Sequence, residues 1–129
     1  MTEPRWITKR GLFLLHEESL VLFGGLAGMR DDGVLESALA RPRNLFAYEN
    51  VTDFARLASA FAFGITKDHP FIDGNKRAAF AAATLFLAKN GVDLTAPQPE
   101  AYAAMMELAG GDMSEEEFAD WIRANLAPK

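Results

Sequence analysis

The chain has 129 residues, a length that suits one domain with a single core, so we expect residues 1–129 to form one domain. Hydrophobic residues make up 50% of the chain and charged residues 24%, which is typical of a globular protein rather than a disordered one. The sequence contains no cysteine and only two histidines, which excludes disulfides and cysteine nucleophiles and makes a zinc site improbable.

The net charge of −5 gives no sign of a basic surface, so we expect no direct contact with nucleic acid. The N-terminal segment MTEPRWITKR lacks the apolar core of a signal peptide. The longest apolar run, residues 78–88, is too short to span a bilayer. We therefore predict a cytoplasmic protein that does not associate with a membrane.

Helix signals dominate the first half of the chain. Thr8 is a suitable cap for a first helix, which the glycine pair at residues 24–25 ends. A short second helix is predicted over residues 33–40, because Pro42 disfavours helical conformation in the residue before it. Residues 43–53, RNLFAYENVTD, alternate loosely and are interpreted as a loop or short β-hairpin.

The next two helices have opposite hydrophobic patterns. Thr52 or Asp53 caps a third helix, in which apolar residues recur every three or four positions over residues 54–65. A fourth helix is predicted over residues 75–90, with Gly91 as its end. Its middle, AAFAAATLFLA, is apolar on every side, so we expect this helix to lie in the centre of a bundle.

Two further helices complete the prediction. One begins near Pro97, and the last begins at Ser114, where SEEE matches a capping box with Glu117 at its third position. The sequence therefore predicts an all-α bundle around a buried central helix, with a short flap or hairpin before the third helix.

Residues 69–80, HPFIDGNKRAAF, concentrate chemically active side chains where the fourth helix begins. The first turn of a helix has unpaired N–H groups and the positive end of the dipole, which favour an anion. Gly74 allows a ligand to approach the backbone, and Asn75 can donate an amide hydrogen bond. Lys76 and Arg77 are electrostatically disfavoured at this end of a helix unless an anion such as a polyphosphate joins them.

The remaining polar residues of this stretch suggest metal and proton chemistry. Asp73 would repel a phosphate unless a divalent cation such as Mg²⁺ lay between them. His69 could accept a proton from a hydroxyl nucleophile, and Phe71 is expected to anchor the loop in the core. The set suits phosphoryl or nucleotidyl transfer. The alternative is an ordinary helix cap and turn with solvated cations and a loop histidine.

This stretch closely resembles the motif of the Fic superfamily, His-x-Phe-x-Asp/Glu-Gly-Asn-Gly-Arg-x-x-Arg. Lys76 replaces the usual glycine and Phe80 replaces the final arginine, and both departures are typical of the Doc (death-on-curing) branch. The segments HEESLVLFGGLAGMRDDGVLESAL and LFLAKNGVDL are also similar to that branch, so the resemblance covers roughly residues 11–95. The residues that match in order and spacing are His69, Phe71, Asp73, Gly74, Asn75 and Arg77.

The resemblance implies a Fic-type fold and a role for each matched residue. His69 would deprotonate the target hydroxyl, and Asp73 would bind Mg²⁺. Doc-type members are described as toxins that phosphorylate a threonine of translation elongation factor Tu with ATP, and so arrest translation. A small Phd-type antitoxin is their expected partner. The phosphate or nucleotide contacts would fall on Gly74, Asn75, Lys76 and Arg77.

Two other functions remain open alongside this kinase reading. Most Fic enzymes transfer AMP from ATP to a protein side chain, and a non-catalytic helical binding module is a third hypothesis. Phe80 removes a bidentate phosphate clamp, although core packing would equally select phenylalanine there. His16 is interpreted as structural or solvated, and Lys67 as a surface lysine rather than part of the cationic rim.

Overall fold

The computed structural model describes residues 3–129, and this part of the chain forms six helices and one small antiparallel sheet. The all-α prediction is confirmed, whereas the two strands were not predicted. Strands β1 and β2 pair with Val92 opposite Pro128 and Leu94 opposite Leu126. The elements are α1 Lys9–Phe23, α2 Asp32–Glu49, α3 Phe54–Asp68, α4 Asn75–Lys89, β1 Val92–Leu94, α5 Gln98–Gly110, α6 Glu115–Arg123 and β2 Leu126–Pro128.

Side-chain caps fix several helix starts where the sequence predicts them. Thr8 accepts a hydrogen bond from the backbone of the first turn of α1 at 2.9 Å. Asp31 and Asp53 do the same for α2 and α3. Ser114 and Glu117 form the predicted capping box, in which each side chain accepts from the backbone N–H of the other.

Helix α2 is longer than predicted, and the predicted loop or short hairpin over residues 43–53 is wrong for residues 43–49, which are helical. The helix continues through Pro42 to Glu49, so only residues 50–53 separate it from α3. Proline removes one backbone hydrogen bond inside a helix. That cost is offset here because Pro42 is buried and the following turn packs Phe46 against Trp6, with ring centroids 5.9 Å apart.

The bundle has a buried central helix, but this helix is α3 rather than the predicted α4. Helix α3 packs against α2, α4, α5 and α6, and most of its residues are buried. Its Gly64 lets α2 approach closely, since a Cβ there would lie 3.3 Å from the backbone of Ala38. Helix α4 buries one face against α3 and leaves Phe80 and Leu85 only partly buried.

Helix α6 is fixed to the bundle by a buried carboxylate. Glu115 is 8% exposed and forms ion pairs with Arg41 of α2 and Arg56 of α3. The hydroxyl of Ser59 donates to the backbone oxygen of Glu115 at 2.5 Å. Within residues 3–129, none of the helices has both the length and the apolar character needed to cross a membrane.

Candidate functional site

The motif loop, residues 69–74, connects α3 to α4 and is held by the turn segment, residues 24–31, which connects α1 to α2. The N–H of Ile72 donates to the carbonyl oxygen of Gly28 at 3.1 Å. The two segments also form an isolated antiparallel bridge at Phe71. The motif loop is therefore positioned by a distant segment of the chain. The hydrogen bond from Arg30 to the carbonyl oxygen of His69, for example, joins residues 39 positions apart.

His69 lies at the C-terminal end of α3 and is exposed. Its backbone is in the left-handed region, with φ 50° and ψ 60°, a conformation that histidine adopts more readily than most residues. Arg30 of the turn segment caps this end of α3. Its Nε donates to the carbonyl oxygen of His69 at 2.6 Å, and its Nη2 donates to that of Asp68. Arg30 thus fixes the backbone that carries His69, a contact that the sequence gave no signal for.

Asp73 lies at the other end of the motif loop and presents an ionised carboxylate. Its Oδ2 accepts from the N–H of Leu26 at 3.2 Å, and its Oδ1 accepts from the N–H of Gly74 at 2.9 Å. These two bonds, together with the positive charge of Arg77, hold the pKa of the Asp73 carboxyl below its usual value. The carboxylate is exposed and charged at neutral pH, and a carboxyl group must be ionised to bind a metal ion.

The start of α4 has the character of an anion site. Gly74 is its N-cap residue, with φ 75°, and no side chain within residues 3–129 caps the first turn. Lys76 is exposed beside it. The guanidinium of Arg77 lies 4.8 Å from the ring centroid of Phe23 and 3.4 Å from the carbonyl oxygen of Gly24. Unpaired N–H groups and two cations therefore meet at one helix terminus.

Asn75 is engaged within the motif loop. Its Oδ1 accepts from the N–H of Phe71 and its Nδ2 donates to the carbonyl oxygen of Phe71, both at 3.0 Å. The residue is 9% exposed, so its side chain closes the loop from inside. A contact between Asn75 and phosphate stays a prediction. Phe71 is 1% exposed and packs in the core, the position expected of a loop anchor.

His16 supports the motif loop from beneath. It is 3% exposed, and its ring stacks on that of Phe71 with centroids 3.8 Å apart and planes 10° apart. Its Nε2 lies 2.7 Å from the carbonyl oxygen of Asp73. A carbonyl oxygen only accepts, so Nε2 carries the proton. Of the two interpretations offered by the sequence, structural or solvated, the first is confirmed.

Three residues near the motif have other roles. The ammonium of Lys67 lies 3.3 Å from the carbonyl oxygen of Ala109 at the end of α5, which agrees with a surface lysine rather than a cationic rim. Phe80 packs against the hydrophobic core, as the packing interpretation predicted. The site is also bordered by exposed apolar side chains, which are Phe23, Leu26 and Ile72.

The described residues thus form a helical bundle in which His69 and Asp73 precede a helix start that has no side-chain cap. The model of the Fic/DOC family matches residues 6–87. The match covers more than half of the chain, so this chain belongs to the Fic/DOC family.

Two curated relatives carry the similarity further. The chain is 34% identical over 119 residues to protein kinase doc of Escherichia phage P1, an alignment that covers 92% of this chain and 94% of that protein. It is 41% identical over 80 residues to toxin Doc of Mycolicibacterium smegmatis, covering 59% of each chain. The resemblance to the Doc branch inferred from the motif is confirmed.

Proposed function

We propose that this chain is a toxin that transfers the γ-phosphate of Mg-ATP to a protein hydroxyl, with a threonine of elongation factor Tu as the expected acceptor. The observation that carries the proposal is the ionised Asp73 directly before an uncapped helix start bearing Lys76 and Arg77. The similarity to protein kinase doc over almost the whole chain favours phosphate transfer over AMP transfer. The name of toxin Doc supports the toxin role.

Asp73 is the residue that would hold Mg²⁺. No group of three or more histidine, aspartate or glutamate side chains suited to a metal occurs within residues 3–129. A single exposed, ionised carboxylate nevertheless fits this ion, because Mg²⁺ is commonly held by one or two carboxylates together with phosphate oxygens and water. When bound, the ion would neutralise part of the charge on the phosphates.

The remaining residues would bind and orient the reactants. The first-turn N–H groups of α4, with Lys76 and Arg77, would bind the phosphate oxygens. The oxygen of the target hydroxyl would form a bond to the γ-phosphorus, while the bond to the bridging oxygen breaks and ADP leaves. His69 would accept the hydroxyl proton. Its backbone is already fixed by Arg30, which reduces the ordering needed before reaction.

The surface around the site supports a protein as the acceptor. The exposed apolar side chains that border the site include Phe23, Leu26 and Ile72, with exposed fractions above one half. Apolar side chains that cluster beside a polar reaction site are typical of a surface that contacts another protein. We expect a Phd-type antitoxin to be a second protein partner, as the toxin name of one relative suggests.

Intact-mass analysis tests the reaction. The protein is incubated with Mg-ATP and elongation factor Tu, and the intact mass of the factor is compared with its mass after the same reaction with His69→Ala. A gain of about 80 Da, lost with His69→Ala, is expected for phosphoryl transfer. Lys67→Ala is the matched control, because its ammonium contacts the end of α5 and should not affect the reaction.

The other outcomes separate the competing functions. A gain of about 329 Da would mean AMP transfer and would overturn the kinase proposal. Cells that express His69→Ala and still stop growing, with no mass change on the factor, would instead favour a non-catalytic protein that acts by binding a partner. Circular dichroism of His69→Ala should match that of the wild type, so that loss of transfer reports chemistry rather than unfolding.

A further inference from the structure

We propose that His16 is a positioning residue that orients the carboxylate of Asp73 and so sets the affinity of the site for a divalent cation. The inference rests on the proposed function, because it takes Asp73 as the ligand of that cation. His16 belongs to α1, 57 residues before Asp73 in the chain. It lies outside the Fic motif.

The path from His16 to the carboxylate runs through a single peptide bond. The Nε2–H of His16 donates to the carbonyl oxygen of Asp73 at 2.7 Å. The N–H of the same peptide, which belongs to Gly74, donates to Oδ1 of Asp73 at 2.9 Å. Because a peptide unit is planar, fixing its carbonyl oxygen also fixes the direction of its N–H. His16 therefore sets the hydrogen bond that holds one oxygen of the carboxylate.

The imidazole has little room to move. Its stacking on Phe71, at 3.8 Å between centroids, fixes the plane of the ring. Phe71 is in turn held by the side chain of Asn75. A Cβ added to Gly74 would lie 3.4 Å from Nε2 of His16, so the backbone of the loop lies directly against the ring. The donor atom is thus fixed in both orientation and distance.

The second carboxylate oxygen does not depend on His16. Oδ2 of Asp73 accepts from the N–H of Leu26 in the turn segment. Loss of the His16 donor would free the Asp73–Gly74 peptide to rotate and leave the carboxylate held at one oxygen only. The carboxylate would then sample several orientations, and its ability to bind a cation would fall. The N–H groups of the first turn of α4, together with Lys76 and Arg77, lie beyond this peptide and should keep their positions.

Binding of ATP with and without Mg²⁺ separates this role from a purely structural one. Calorimetry gives the dissociation constant of ATP in excess EDTA and in excess Mg²⁺, for the wild type, His16→Phe and His16→Gln. Phenylalanine keeps the stacking on Phe71 but has no donor, whereas the amide of glutamine can place a donor near the position of Nε2. Leu14→Ala, at an exposed position on the same helix, is the control.

We expect His16→Phe to weaken binding of Mg-ATP by about 10-fold or more, the range seen when a residue behind a metal ligand is removed, and to leave Mg²⁺-free ATP binding unchanged. His16→Gln should restore most of the Mg²⁺-dependent gain. A His16→Phe protein that keeps this gain, or loses both affinities in parallel, would overturn the proposal. If His16→Phe does not fold, His16→Leu, whose side chain also lacks a donor, takes its place in the same measurement.

Failure of the proposed function would look different. Wild-type protein that binds ATP no better with Mg²⁺ than without it would show that Asp73 is not a metal ligand here, and the role of His16 would fall with it. Wild-type protein with a clear gain from Mg²⁺ that His16→Phe retains would overturn only the role of His16.

Discussion

Replacement of Asn75 by alanine should destabilise the protein even though the residue lies in the middle of the Fic motif. The Asn75 side chain makes two hydrogen bonds of 3.0 Å, both to the backbone of Phe71, which is 1% exposed. A typical hydrogen bond contributes about 0.5–1.5 kcal/mol, and a buried group that loses its partner costs about 1–3 kcal/mol. With an N–H and a carbonyl both orphaned, we expect the free energy of unfolding to fall by about 2–4 kcal/mol.

Urea denaturation with linear extrapolation measures this loss. Lys76→Ala is the matched control, because Lys76 directly follows Asn75 in the motif and its side chain is exposed. The free energy of unfolding of this variant should lie within about 0.5 kcal/mol of the wild-type value. Asn75→Asp keeps an acceptor for the Phe71 N–H but sets a carboxylate oxygen against the carbonyl oxygen of Phe71, so it should also be less stable than the wild type. An Asn75→Ala protein as stable as Lys76→Ala would refute the proposed role of Asn75 in holding the motif loop. Phosphate binding would then be the remaining explanation for this amide.

Three further predictions follow from other contacts. Glu115→Ala should lower the free energy of unfolding by about 2–3 kcal/mol, since it leaves two partly exposed arginines without their carboxylate, whereas exposed Glu116→Ala should be neutral in the same urea assay. The lowered pKa of Asp73 means that its stabilising contribution is complete above the ordinary pKa of 3.8 and is lost as the pH falls through the lower pKa of the folded state. The difference in free energy of unfolding between the wild type and Asp73→Asn should therefore shrink over that pH range. A difference that stays constant would contradict this. Gly25→Ala and Gly24→Ala both place alanine at positive φ, so each should lower the free energy of unfolding by about 1–3 kcal/mol. Only Gly25→Ala should also weaken the Mg²⁺-dependent binding of ATP in calorimetry, because its Cβ would lie 2.9 Å from Oδ2 of Asp73.

The helix starts could be predicted from the sequence because capping is local. Thr8, Asp53 and Ser114 each bond to a backbone group within three residues, so short-range pattern is sufficient. The end of α2 could not be predicted in the same way. Pro42 is a local signal to stop, and it is overridden by long-range packing of Phe46 on Trp6, 40 positions earlier by residue number. The strands were missed for the same reason, since each has three residues and is defined only by its partner.

The candidate site shows the same division between local and long-range information. The motif names residue types, so His69 and Asp73 can be proposed as site residues from the sequence alone. Sequence cannot show where a side chain is already committed, and Asn75 is an example, because its amide faces the loop backbone. Nor can it show that His16 and Arg30 hold the motif, since both contacts bridge dozens of intervening residues.

The turn segment fixes both ends of the motif loop, and this has a consequence for the chemistry. Arg30 holds the carbonyl oxygen of His69, while the N–H of Leu26 holds Oδ2 of Asp73. The proposed proton acceptor and the proposed metal ligand are thus both referenced to residues four apart in one short segment. A displacement of only about 1 Å between reacting groups can greatly slow a transfer reaction. Contacts to one segment would therefore keep the distance between His69 and Asp73 constant before ATP binds. A change in the length of the turn segment would displace one end of the loop relative to the other, and would impair transfer while leaving every residue of the Fic motif unchanged.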